Sequence, residues 1–155
     1  MYKHIILAYD GSASGQKAML EIKELAHWGR PQLTLVAVVP PPVDVGSLEM
    51  GYYASSNSDA LEKQLTTQLN EGVAALKAMG FAVQGQLLKG EVIRELTTYA
   101  QGVAADLLVV GHQHEKNLLR RWWSGSRRCC RGIQSSSHNP QNLRCVVTRS
   151  KRGFG

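Results

Sequence analysis

The stretch Ile-Ile-Leu-Ala-Tyr-Asp-Gly-Ser (residues 5–12) decides the fold class of this chain. A short apolar run that ends in a turn-forming Asp-Gly-Ser is typical of a strand buried on both faces of a parallel sheet. Two more runs share this character. Residues 33–39 are ended by Pro40-Pro41-Pro42, and residues 106–111 end in a glycine. These three runs predict the centre of a parallel sheet.

Segments with helical periodicity alternate with these strands. A first helix follows Ser12 or Ser14, either of which can cap it, and Gly29 and Pro31 end it; its apolar face is Ala18, Ile22, Leu25 and Ala26. A polar loop is expected over residues 43–56. A second helix is then predicted from Ser58 or Asp59 to Met79-Gly80, with the apolar face Leu61, Leu65, Leu69, Val73 and Leu76.

A third strand and a third helix complete this alternation. Residues 81–88 alternate between apolar and polar side chains, as expected of a strand nearer the edge of the sheet. Gly90-Glu91 starts the helix, whose apolar face is Val92, Ile93, Leu96 and Ala100. The order β-α-β-α-β-α-β predicts a doubly wound parallel sheet with helices on both faces.

Ligands of such sheets bind beyond the carboxyl ends of the strands, where the strand order reverses. The strand ends to consider are Tyr9-Asp10, Val38-Val39 and Val110-Gly111. At 155 residues the chain is expected to form a single domain, residues 1–155. No apolar run approaches the ~18 residues of a membrane span, and residues 1–115 contain no cysteine. We therefore expect a cytoplasmic protein that has neither a membrane contact nor a disulfide framework.

Residues 116–155, called the basic segment below, differ in composition from the rest of the chain. They contain ten of the 18 Lys/Arg, none of the 12 Asp/Glu and all of the cysteines. Because the net positive charge comes from this one segment, the pI of about 9.4 does not predict nucleic-acid binding by the domain. An alternative is that this segment contacts phosphate backbones while Trp122 and Trp123 stack on bases.

Three segments resemble the universal stress protein family: residues 5–12 followed by Ala18, Asp-Leu-Leu-Val-Val-Gly-His (residues 106–112), and Trp-Trp-Ser-Gly-Ser (residues 122–126). The resemblance covers roughly residues 1–126. It implies a Rossmann-like fold of the adenine nucleotide alpha hydrolase type with about five strands. It also implies a homodimer with a regulatory role in the stress response, and ATP or AMP as ligand, with Mg²⁺ where ATP is bound. Partner proteins are not identified by these motifs.

The same resemblance implies a set of nucleotide-binding residues. Asp10 would meet the adenine or the ribose, and Val38 would pack on the base. Gly111 would lie under the ribose and phosphates, since glycine lets backbone N–H groups approach phosphate closely. The full set is Ala8, Asp10, Val38, Val110, Gly111, His112, His114, Gly125 and Ser126. No catalytic residue is implied, and the sequence has neither a P-loop nor a nucleophile elbow; any ATP hydrolysis would be weak and incidental.

The phosphate-binding segment departs from the family pattern Gly-x2-Gly-x9-Gly-[Ser/Thr] at two points. His114 stands at the second glycine position, and Gly125 lies fourteen positions after Gly111 instead of thirteen. His112 or His114 can donate to a phosphate, so ATP binding is retained as the prediction. The alternative is a dimeric interaction module of the same family that binds no nucleotide.

Metal sites have weaker support in the sequence. His112 and His114 lack a nearby carboxylate or cysteine partner, and the remaining candidates do not have zinc-ligand spacing: Cys129, Cys130, His138 and Cys145. No metal site is therefore expected from the protein side chains alone.

The resemblance stops at residue 127, and residues 127–155 are atypical of the family. An amphipathic helix is expected there, but Arg127-Arg128-Cys129-Cys130-Arg131-Gly132 has no apolar stripe. Only residues 143–147 are typical of a strand, close to where a fifth strand belongs. We hypothesise a change of reading frame near codon 127, or a poorly ordered segment. Resequencing the gene tests the first hypothesis, since an uninterrupted native frame through these codons would refute it.

Overall fold

Within the part of the chain that the structure describes, five parallel strands form one sheet. The computed structural model describes residues 2–11, 15–16, 19, 22, 29, 31–41, 50–112 and 144–149. The strands are β1 (His4–Ala8), β2 (Gln32–Val39), β3 (Val83–Lys89), β4 (Leu107–His112) and β5 (Arg144–Arg149). They pair in the order β3-β2-β1-β4-β5, all parallel. The order reverses between β1 and β4, which confirms the predicted doubly wound α/β fold.

Helices cover the two faces of this sheet. They are α1 (Met50–Ala78) and α2 (Val92–Gly102), and residues 15, 16, 19 and 22 are also helical, within the range predicted for the first helix. The buried side chains on the helices agree with the predicted apolar faces at Ile22, Leu65, Leu69, Leu76, Val92, Leu96 and Ala100. Neither α1 nor α2 is long and apolar enough to cross a membrane.

The predicted start of the second helix was wrong. Helix α1 begins at Met50, so the second half of the loop expected over residues 43–56 is helical. Residues 50–58 contain no proline, and each residue that joins an existing helix adds one hydrogen bond at little further cost. Glycine and serine in this stretch suggested a loop, yet the helix extends through Gly51, Ser55 and Ser56.

The core is divided by the sheet into two clusters, because successive residues of a strand point to opposite faces. On the α1 face, Ile5, Leu7 and Tyr9 of the first strand pack with Leu69 and Leu76. On the α2 face, the alternate residues Ile6 and Ala8 pack with Val92, Leu96 and Ala100. Strand β1 is therefore buried on both sides, as its uninterrupted apolar sequence predicts.

Both helices end in the same hydrogen-bonded cap. In α1, Phe81 N–H donates to the Leu76 carbonyl (3.2 Å) and Gly80 N–H donates to the Lys77 carbonyl (2.9 Å). In α2 the corresponding donors are Ala105, to Ala100 (2.9 Å), and Ala104, to Gln101 (3.1 Å). This is the Schellman arrangement, which places one residue in the left-handed region. That residue is Gly80 at φ 90° in the first cap but Ala104 at φ 50° in the second.

We predict opposite effects of exchanging glycine and alanine at these two caps. Gly80→Ala lowers the free energy of unfolding by about 1 kcal/mol and Ala104→Gly raises it by up to about 1 kcal/mol, because left-handed backbone is strained for residues with a Cβ. A Cβ at Gly80 would meet no atom within 4 Å, so the change there tests backbone strain alone. Denaturant unfolding measures both. A loss of stability in Ala104→Gly would contradict this account.

A carboxylate joins the two central strands at the amino edge of the sheet. Asp106 Oδ2 accepts hydrogen bonds from Lys3 N–H (2.7 Å) and His4 N–H (2.9 Å). These bonds, that of His4 first, hold the pKa of Asp106 below its usual range, against the opposing effect of desolvation. The His4 ring lies 2.8 Å from the Thr34 hydroxyl, measured from Nε2 to Oγ1. Thr34 is 1% exposed, so the ring satisfies a fully buried hydroxyl.

Removing this carboxylate should produce a pH-dependent loss of stability. We expect Asp106→Ala to lower the free energy of unfolding at pH 7 by about 1 kcal/mol. The pKa of Asp106 is lower in the folded state than in the unfolded state. The carboxylate therefore stabilises the fold fully above the unfolded-state pKa of about 3.9, and this stabilisation is lost as the pH falls through the folded-state pKa. The gap between wild type and variant should therefore close below about pH 4. Asp59→Ala, at an exposed position of α1, is the control, and a gap that stays constant down to acid pH would contradict the assignment.

Candidate functional site

The candidate site lies at the carboxyl edge of the sheet, where the strand order reverses. Ala8, the last residue of β1, is level with Val36 of β2 on one side and with Val110 of β4 on the other. Tyr9 N–H donates to the Val36 carbonyl at 2.8 Å, so pairing continues one residue past the strand. The chain then turns at Asp10-Gly11, directly above the junction of β1 with its two neighbours.

The apolar residues predicted for the site belong to the core on the α2 face. Ala8, Val38 and Val110 are all members of that cluster. Ala8 and Val110 are 2% and 1% exposed, whereas Val38 is 9% exposed. Ala8 and Val110 can therefore form only the floor of a crevice, and Val38 is the most exposed of the three.

The turn after β1 is packed against helix α1. Gly11 has φ 75°, in the left-handed region. A Cβ at this position would overlap the end of the Gln68 side chain, which can move aside, so the backbone angle is what favours glycine here. Gln68 Oε1 is buried and has no hydrogen-bond donor among the residues that the structure describes.

Tyr9 fixes the position of the turn. Its side chain is 5% exposed, and its ring passes between two helical glycines. A Cβ on Gly15 would lie 2.8 Å from Tyr9 Cδ2, and a Cβ on Gly72 would lie 3.3 Å from Tyr9 Cε1 and 2.7 Å from Leu35 Cδ2. Neither glycine has a positive φ among those recorded, so both are required by close packing instead of backbone conformation.

The environment of the Tyr9 hydroxyl raises its pKa. Burial raises its pKa, the hydrogen bond with the Gln16 side chain acts in the opposite direction, and the charges of Asp10 and Glu71 raise it further. The hydroxyl is therefore un-ionised at neutral pH and hydrogen-bonded with the Gln16 side chain.

The other predicted site residues are at the end of β4 or lie farther along the chain. Gly111 and His112 are the last residues of β4, level with Thr148 and Arg149 of β5. His114, Gly125 and Ser126 lie outside the described residues, as do the cysteines other than Cys145. The structure thus brings Ala8, Asp10, Val38, Val110, Gly111 and His112 to one edge of the sheet, and their role in binding stays a prediction.

Three residues of this edge were not anticipated from the sequence: Tyr9 as a packing residue, Gln68 and Gly72. Gly72 carried a usable signal, since an isolated glycine within a long helical pattern usually has a packing reason. Gln68 carried none, because its contact with Gly11 joins segments that are far apart in the sequence. Within the part of the chain that the structure describes, no three His, Cys, Asp or Glu side chains are grouped as a metal site.

Comparison with known proteins identifies the family. The model of the universal stress protein family matches residues 1–127, which is most of the chain. The chain belongs to the universal stress protein family. The match ends where the atypical composition of residues 127–155 begins. No curated protein sequence matches this chain.

Solved structures share the fold over nearly the whole chain. A universal stress protein family protein from Burkholderia pseudomallei has 22% identity and a TM-score of 0.72, covering 96% of this chain and 97% of its own. An Arabidopsis thaliana family protein with AMP bound has 14% identity and a TM-score of 0.63, with coverages of 97% and 93%. A universal stress protein in complex with cAMP has 18% identity and a TM-score of 0.55, with coverages of 95% and 96%. At these identities the likeness shows the fold alone.

We predict that the packing of Tyr9 makes Gly72 intolerant of alanine. Alanine is worth up to about 1 kcal/mol over glycine inside a helix, but overpacking costs about 1–3 kcal/mol. Gly72→Ala should therefore lower the free energy of unfolding by about 1–2 kcal/mol. Gly102→Ala is the matched control, because a Cβ there meets no atom within 4 Å, and it should leave stability unchanged or raised. Denaturant unfolding measures both variants. If Gly72→Ala stabilises the protein as Gly102→Ala does, the packing account is refuted.

Proposed function

We propose that this protein is a regulatory universal stress protein that binds an adenine nucleotide, ATP or AMP, at the carboxyl edge of its sheet. The observation that carries the proposal is the Asp10-Gly11 turn at the point where the strand order reverses, between β1 and β4. Ligands of doubly wound sheets bind at this point. Family membership and the AMP- and cAMP-bound structures of similar fold support the choice of ligand.

The proposed arrangement gives each residue one task. Asp10 accepts hydrogen bonds from the ribose hydroxyls, and Val38 packs against the base. Ala8 and Val110, both buried, form the floor beneath the nucleotide. Gly111, Gly125 and Ser126 bind the phosphates through backbone and hydroxyl donors, with His112 or His114 as further donors and Mg²⁺ present when the ligand is ATP.

Binding with a regulatory consequence is proposed in place of catalysis. The Tyr9 hydroxyl is hydrogen-bonded with Gln16 and its pKa is raised, the opposite of the lowered pKa that activates a nucleophile. We further propose that the protein acts as a cytoplasmic homodimer and passes the nucleotide state to a protein partner. Neither nucleic acid nor a membrane surface is part of this proposal.

A second function is favoured by the two departures in the phosphate-binding segment. His114 replaces a glycine of the family pattern, and Gly125 is displaced by one position. A side chain at a position where backbone N–H groups should approach phosphate closely weakens that site. In this case the protein is a dimeric interaction module of the same family that binds no nucleotide.

Calorimetric titration of ATP with Mg²⁺ into the full chain distinguishes the two functions. We expect micromolar binding, weakened about tenfold to a hundredfold in Asp10→Ala, which is the loss expected for a hydrogen bond to a charged group. Glu91→Ala is the matched control. It removes an exposed carboxylate at the N-cap of α2, after β3 on the same edge, where the side chain makes no capping hydrogen bond.

Each outcome assigns a function. Binding that Asp10→Ala weakens and Glu91→Ala does not weaken supports the nucleotide site. Equal binding by all three proteins would move the site away from the turn. No heat at millimolar ATP, with the dimer intact by sedimentation, would support the interaction module.

A further inference from the structure

Strand β3 is the outermost strand at one end of the described sheet, next to β2. Leu33 N–H donates to the Ala82 carbonyl (3.0 Å), and Gly90 N–H donates to the Val39 carbonyl (2.9 Å). The backbone groups of successive strand residues point to opposite sides, so only alternate residues of β3 bond to β2. The residues of β3 whose backbone N–H and C=O groups point away from β2 are Val83, Gly85, Leu87 and Lys89.

The outer side of β3 lacks the features that usually prevent strand pairing. Natural edge strands carry a charge, a proline or a bulge. Residues 83–88 contain neither a charged residue nor a proline, and their register with β2 is continuous. Gln86 Nε2 donates to the outward Leu87 carbonyl (3.1 Å), and that oxygen keeps a second lone pair for another donor. A further strand can therefore pair with β3.

The sequence of this strand has the same pattern in either direction. Val83-Gln84-Gly85-Gln86-Leu87 has a glycine at its centre, a glutamine on each side and an aliphatic residue beyond each glutamine. When two identical subunits meet across a twofold axis, residue i contacts residue j and j contacts i. A strand with this symmetry meets its own side-chain pattern when a second copy lies antiparallel to it.

We propose that β3 pairs antiparallel with β3 of a second copy of this chain, with the twofold axis at Gly85. The two Gly85 residues then exchange backbone hydrogen bonds, and Val83 does so with Leu87 of the partner subunit. Gln84 lies opposite Gln86 of the partner subunit, and each carboxamide offers the other a donor and an acceptor. Moving the axis by one residue would place Gly85 opposite Val83 or Leu87 and lose these matches. The inference rests on the proposed homodimer, whose interface it names, and is independent of nucleotide binding.

Apolar side chains beside β3 support this interface. Val73, Phe81 and Leu87 are only partly buried and pack at the margin of the core cluster on the α1 face. Val73 lies over the proposed axis, because a Cβ on Gly85 would be 3.0 Å from Val73 Cγ2. The partly buried Val73 side chains of the two subunits therefore come together above the paired glycines, and the dimer removes apolar surface from water.

Helix packing and charge are also compatible with this pairing. Helix α1 packs on both β2 and β3. With strands about 4.8 Å apart, two such helices lie about 10 Å from each other across the axis, which is a usual distance between packed helices. Lys89, the charged residue of β3, lies opposite Phe81 of the partner subunit, so no like charges face each other along the two strands.

Sedimentation of the full chain over a range of concentrations tests this interface with two double variants. Gln84→Lys/Gln86→Lys places two pairs of like charges across the axis and should weaken the dimer about tenfold at low salt. Gln84→Glu/Gln86→Lys places opposite charges in the same pairs, so its dimer should be at least as stable as that of wild type. The variants differ only at Gln84, which is exposed, and salt should reduce the difference between them.

Amide hydrogen exchange locates the interface within the chain. The N–H groups of Val83, Gly85 and Leu87 should exchange slowly in the dimer and faster when dilution produces the monomer. The N–H groups of Gln84 and Gln86 bond to β2 in either state and are the internal control.

The failures are distinguishable. A wild-type protein that is monomeric at every concentration would overturn both the proposed homodimer and this interface. If the dimer is equally stable in wild type and both double variants, the homodimer stands and its interface is elsewhere. If both double variants weaken the dimer equally, Gln84 faces its own counterpart and the axis is not at Gly85, which would overturn the inference.

Discussion

Strand β1 is hydrogen-bonded on both sides and buried on both faces, and the rest of the structure depends on this double burial. Ile5, Ile6 and Leu7 are at most 1% exposed. A parallel strand in this position needs a helix layer above and below it, because neither face can be left to water. Side chains of β1 belong to both core clusters and the strand order reverses beside this strand, while α1 and α2 pack mainly over the neighbouring strands β2 and β3.

Much of the fold could be predicted because its central strands are uninterrupted apolar runs. The runs at residues 5–9, 33–39 and 106–111 correspond to β1, β2 and β4, and residues 144–147 of the last run lie in β5. Helix ends were predicted where glycine marked them, as at Gly80, and missed where no such residue stood, as at Met50. The start of α1 depends on how far a stable helix propagates into a neutral sequence, which residue-by-residue patterns describe poorly.

The site was predictable only as a location. Strand ends and family motifs indicated Asp10 and Val38 because parallel topology brings strand ends together. The contacts that shape the turn could not be deduced in the same way. Gln68 meets Gly11, and Gly72 admits the ring of Tyr9, through packing between segments that are some 57 to 63 residues apart. Such pairs depend on how far α1 is shifted along its own axis relative to the sheet. The apolar stripe of a helix predicts which face is buried, but it does not predict this shift.

The two ends of β1 are anchored by different chemistry, at Asp106 on one side and at the glycine-flanked Tyr9 on the other. This has a mechanical consequence. In a parallel sheet, a force along β1 loads the ladders to β2 and β4 in shear, so their hydrogen bonds share the load and do not open one after another. The two anchors add to that resistance, one through hydrogen bonds to a carboxylate and one through close packing. We expect β1 to behave as the stiffest element of the protein under tension, yielding in a single event and not by gradual sliding.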